Sequence, residues 1–168
     1  QRPLVAIAGL GRPLHRALRQ PAVVEPEEVA EMLPIFKGTN PEANPTELYF
    51  IITSWRSYML NATVMAEKRA ELNGAKNPTW FYNVTWRSPA EGGRRYSQHT
   101  IDLPFMFDNV DRAEHLTGPR TEDTDYMTEA MAGAWLAFSK NNDPNHSGIP
   151  QWDTYDLETR KVMFFESP

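Results

Sequence analysis

The chain has 168 residues, 40% of them hydrophobic and 11% aromatic, enough apolar material for a packed core of ordinary domain size. A formal net charge of −5 with no basic stripe argues against nucleic acid as a partner, and no apolar run nears the ~20 residues of a bilayer-spanning helix. With no cysteine, disulfides, thiol nucleophiles and thiolate metal sites are excluded together.

Residues 1–21 carry little periodicity. Gly9 and Gly11 suit a turn, but a dinucleotide fingerprint would need a third glycine, and Pro13 interrupts the helix that should follow. Glu25-Pro26-Glu27-Glu28 opens a helix, since proline is tolerated in a first turn and acids there complement the helix dipole. Val29, Met32, Leu33 and Phe36 recur at helical spacing, and Pro34 is expected to strain or end that helix. A loop from Gly38 leads to Thr46, the expected cap of a long helix over residues 47–72. Leu48, Ile51, Ile52, Trp55, Met59, Ala62 and Ala66 give it one broad apolar face.

Residues 80–86, Trp-Phe-Tyr-Asn-Val-Thr-Trp, read as a strand. Neither of its alternating faces is plainly polar, which places it inside a covered sheet. A polar loop with Gly92-Gly93-Arg94-Arg95 then leads to Tyr96-Ser-Gln-His99, followed at once by the apolar block Leu103 to Phe107. An imidazole on a loop rim, anchored from behind by buried aromatics, is what proton transfer requires: a ring that accepts and returns a proton near neutrality and stays aimed. Arg94 and Arg95 read as a solvated pair, and His15, His115 and His146 have no metal-ligand spacing with one another or with His99. Residues 110–120 form loop with a short helical turn. Glu122, Asp123 and Asp125 open a helix whose face is Met127, Ala130, Met131, Ala134, Trp135 and Phe138, stopped by Asn141-Asn-Asp-Pro-Asn. Residues 161–166 suit a final edge strand. Asn61, Asn83 and Asn145 match the glycosylation sequon, a pattern frequent by chance.

The strand at 80–86, the His99 loop, the run from Trp135 through Asn-Asp-Pro-Asn145 and the Ile149-Pro-Gln-Trp-Asp segment together resemble the C-terminal third of the type-B carboxylesterases, the family of the bacterial para-nitrobenzyl esterases and the cholinesterases. The resemblance runs from about Glu47 to the end of the chain. It implies an α/β class, the C-terminal portion of an α/β-hydrolase fold, with long helices packed on a partial, mostly parallel sheet. Residues 1–45 are then a poorly matching leading segment and 46–168 the histidine-bearing part. It further implies His99 as general base of a Ser-His-Glu/Asp triad, a serine acyl-enzyme, a small-molecule ester substrate, and neither cofactor nor metal. Phe105, Met106 and Phe107 would buttress the loop, and part of that block, with Met59, would line an apolar acyl pocket.

The other parts of such a machine are not in the sequence. There is no Gly-x-Ser-x-Gly elbow, and Gly92-Gly93 is in the wrong place for the family's oxyanion motif. Glu25, Glu27 and Glu28 are candidates for the acid by position only, and Asp102 is expected to serve local backbone amides. One third of a triad should not turn over ester. The isolated chain is therefore expected to be inactive, and an open sheet edge to call for a partner, either a missing N-terminal part of the same enzyme or a self-association partner. The rival readings are an amidase or carbamate hydrolase on the same scaffold, a non-catalytic cholinesterase-like adhesion domain, and a helical binding domain with an accidental likeness.

Overall fold

In the computed structural model the described residues are 26–73 and 76–167, and the chain divides into two compact units, one within Val5–Lys68 and one containing Arg69–Pro168. The expectations about Val5–Gly11, His15 and Glu25 concern residues outside those described.

In the first unit, helix α1 (Pro26–Thr39) runs through Pro34 instead of ending there. Proline removes one backbone bond, but burial of Met32 and Phe36 on either side holds the turn. Thr39 Oγ1 and Asn40 Nδ2 each donate to the Phe36 carbonyl, at 3.1 and 3.0 Å, which closes the helix end. Helix α2 (Pro45–Ser54) starts earlier than expected, because Asn44 and not Thr46 is its cap. Asn44 Oδ1 accepts from the Thr46 and Glu47 amides at 3.0 Å, and Glu47 returns the bond to the Asn44 amide, a reciprocal pair that Thr46 could not complete. The expected long helix is interrupted by a π-helical turn, Trp55–Met59, before resuming as α3 (Leu60–Asn73). Met32, Phe36 and Leu48 are buried together, with Trp55 edge-on to Phe36 at 5.8 Å.

The second unit is built on two short parallel strands, β1 (Tyr82–Val84) and β2 (Met163–Phe165), in register Tyr82↔Met163 to Val84↔Phe165. Both are shorter than the runs at 80–86 and 161–166 that announced them. Between them come α4 (Asp102–Met106), α5 (Glu114–Thr117) and α6 (Glu122–Asn141). Thr121 caps α6 at its start, and Asn142, left-handed at φ 54°, ends it. Met127, Met131 and Ala134 have no exposed surface and pack with Trp86, Phe105 and Phe165 in one core.

The segment after α6 is tied down by side chains rather than by a ladder. Asn145 Oδ1 accepts from the Trp152 amide at 2.7 Å while its Nδ2 donates to the Trp152 carbonyl at 2.9 Å, a one-residue imitation of strand pairing. His146 Nδ1 accepts from the Gly148 amide at 3.1 Å, so its Nε2 carries the proton and donates to the Ala130 carbonyl at 3.1 Å. Gly133 is needed for this approach, since a Cβ there would stand 2.5 Å from the His146 ring. We expect Asn145→Ala to destabilise the chain by about 2 kcal/mol in urea denaturation, because Trp152 is buried and its amide would lose its acceptor. An unchanged midpoint would refute the clamp.

Candidate functional site

The loop carrying His99 leaves the C-terminal end of β1, the end of parallel strands where α/β proteins place their chemistry. Ser97 Oγ donates to the carbonyl of Val84, the last residue of β1, at 2.7 Å. Gln98 Nε2 donates to the Leu116 carbonyl at 3.2 Å, and the Ser88 hydroxyl donates to that same carbonyl. Ser88 N–H donates to the Tyr96 carbonyl at 3.1 Å. On the far side Ile101 is buried, with only 3% of its surface exposed. His99 thus projects as an exposed residue from a loop fastened on both sides.

The backbone around it is held out of its preferred regions. Tyr96 and Thr100 have φ of 53° and 71°, the left-handed region that a β-branched threonine strongly disfavours. Such geometry persists only where neighbours over-determine it, as these bonds do.

Behind the loop, Phe105 has no exposed surface and meets Trp86 edge-on at 5.0 Å. Trp86 Nε1 in turn donates to Asp123 Oδ2 in the first turn of α6, at 2.6 Å. Phe105 is therefore enclosed in the core and presents no surface. Met106 is partly buried against the core, whereas Phe107 is 68% exposed. Leu103, also exposed, stands one helical turn before Phe107, whose amide donates to the Leu103 carbonyl at 3.1 Å. Met59 lies in the π-helical turn of the other unit.

Asp102, expected to serve local backbone amides, takes another partner. It accepts from the Tyr82 hydroxyl at 3.1 Å. Burial, the Asp102 charge and that hydrogen bond together push the Tyr82 hydroxyl up from 10.0 to about 12. A raised value means that the fold favours the neutral phenol. Its contribution to stability is complete below pH 10.0 and is lost as pH rises towards about 12. Tyr82→Phe should flatten that alkaline loss in a pH series of urea midpoints, and an identical series for both proteins would count against the coupling. The bonds of Tyr82, Ser97 and Gln98 could not be read from the sequence, because their partners lie in other segments. The alternation that turned Tyr82 to the same face as Trp80 and Trp86 was the available signal.

Arg94 and Arg95 both pair with Glu91, Arg94 at 3.6 Å, which accounts for them as loop charges. Glu28, one of the acids considered by position, pairs with Arg56 at 3.8 Å. Among the described residues no group of three or more His, Asp or Glu side chains is disposed to hold a metal.

The sequence profile of the carboxylesterase family matches residues 31–168. The chain belongs to the carboxylesterase family. It is 28% identical over 91 residues to the para-nitrobenzyl esterase of Bacillus subtilis, covering 54% of this chain and 18% of that protein. It is also 28% identical over 97 residues to a phenmedipham hydrolase of Pseudarthrobacter oxydans, covering 56% and 20%. Among solved structures, a Geobacillus stearothermophilus carboxylesterase superposes with a TM-score of 0.67 at 23% identity, over 91% of this chain and 30% of that one. A thermophilic pNB esterase superposes with a TM-score of 0.63 at 19% identity, over 88% and 31%. This carboxylesterase chain thus spans about a fifth of the curated relatives' length and about a third of the superposed structures. Its fold is that of the α/β-hydrolases, represented here by helices and a small parallel sheet.

Proposed function

We propose that this chain supplies the catalytic histidine, His99, of a serine carboxylesterase that works through an acyl-enzyme on a small-molecule ester. The nucleophile, the oxyanion donors and the acid would come from a part of the enzyme outside these 168 residues. The observation that carries the reading is the fastening of an exposed histidine at the C-terminal end of β1, in a chain of this family. In α/β-hydrolases the triad comes in the order Ser, Asp or Glu, His, so the histidine is the last of the three along the chain. The imidazole takes the serine proton as the hydroxyl attacks the ester carbonyl, then gives it to the departing alcohol. In the second half it takes a proton from the water that attacks the acyl carbonyl and returns it to the departing serine oxygen, which frees the acid. The edge of β1 not paired with β2 is the surface on which the remaining sheet would add, through backbone bonds.

In this reading Tyr82 and Asp102 are positioning residues that hold the loop from the strand side. Tyr82→Phe in the intact enzyme should lower kcat about tenfold with KM little changed, because the loss falls on aim and not on substrate contact. A change confined to KM would argue that Tyr82 touches substrate instead.

The direct test joins this chain to the N-terminal portion of the Bacillus subtilis para-nitrobenzyl esterase, as a fusion or by co-expression, with a 4-nitrophenyl ester as substrate. The chain alone should give no turnover above buffer, and the joined protein should hydrolyse the ester in a manner abolished by a serine-directed phosphonate. Turnover by the chain alone would sink the proposal, as would a well-folded assembly without phosphonate-sensitive activity.

A further inference from the structure

A cavity of ≈ 300 Å³ lies beside the residues that enter β1, whereas the His99 loop leaves from the other end of that strand. Its walls are rings: Trp80, Tyr82, Trp135, Phe138 and Trp152. They stand at fixed angles, Trp80 to Phe138 at 75° and 5.8 Å and Tyr82 to Trp135 at 87° and 5.1 Å, which leaves ring faces and edges available to a planar guest. Trp80 is locked by its Nε1 bond to the Trp152 carbonyl at 3.2 Å. The volume falls in the range of small-molecule sites, which are mostly apolar with a few placed polar groups.

Of the residues that line it, Arg69, Thr79 and Tyr82 bring polar side-chain groups other than the indoles. Arg69 contributes a cation whose plane is set by the 3.1 Å bond from its Nε to Thr79 Oγ1. A guanidinium fixed in this way selects carboxylate geometry and repels cationic ligands.

We propose that this cavity binds a small, flat aromatic carboxylate, with the ring system between the aromatic walls and the carboxylate towards Arg69. The inference uses no property of His99 and stands apart from the esterase reading. Isothermal titration calorimetry of this chain with 2-naphthoate and with its neutral counterpart 2-naphthamide tests it. We expect saturable one-to-one binding of 2-naphthoate. Arg69→Met, at an exposed position, should weaken it about tenfold and leave the amide unchanged. Phe138→Ala, also at an exposed position, should weaken both ligands, and His99→Ala neither. Absence of saturable heat with 2-naphthoate at millimolar concentration would overturn the proposal, and so would equal losses for acid and amide in Arg69→Met. Loss of binding in His99→Ala would place the ligand at the other end of β1 and overturn it as well.

Discussion

Replacing His99 with alanine in the intact enzyme is expected to lower ester turnover by about 10³-fold or more, with no loss of folding stability. The first half follows from the proposed role: without the imidazole nothing at that position accepts the serine proton, and the histidine of a triad acts as one unit with its nucleophile. The second follows from placement. His99 is exposed, and its loop is also fastened by bonds from Ser97, Gln98 and the backbone of residues 88 and 96, which stay when the imidazole is removed. Steady-state kinetics on a 4-nitrophenyl ester, with urea denaturation alongside, separates the two. A variant within tenfold of the parent would remove the proton-transfer role, and one that unfolds would instead make His99 a structural residue.

Phe105→Ala should have the opposite signature. Phe105 is fully buried, edge-on to Trp86, and in one core with Met127 and Met131 of α6. Truncation removes the ring and leaves a cavity whose lining loses its contacts, a cost of about 3–5 kcal/mol. Phe105→Leu, which keeps most of the apolar volume, should cost about 1 kcal/mol. Because α4 follows His99 directly, the alanine variant should also loosen the loop, seen as faster amide hydrogen exchange at residues 97–101 under native conditions. Exchange unchanged there, with stability lost, would show that Phe105 supports the core but not the histidine.

The family relationship also bears on how residues of one apolar block divide their work. Phe105, Met106 and Phe107 are indistinguishable in sequence as large apolar side chains. A five-residue helix turns them in different directions, so that Phe105 is enclosed while Phe107 is 68% exposed two residues later. Leu103 and Phe107 are the exposed large apolar side chains of this block.

Helices α1 and α6 and the place of β1 could be read from the sequence, because each rests on local regularities. Periodicity marked α6 from its acidic first turn to the Asn142 stop, and the β-branched and aromatic run marked β1. What only the tertiary structure decided are the partnerships between segments distant in the chain. Tyr82 with Asp102, Ser97 with the Val84 carbonyl, and Asn145 with Trp152 are hydrogen-bonded partners 20, 13 and 7 residues apart, the last pair through two bonds. No sequence period encodes them, because each depends on where the chain returns and not on how it turns. The shortness of both strands has the same origin: a run of suitable residues becomes strand only where a neighbour supplies the opposing backbone groups, and here that neighbour extends over three residues.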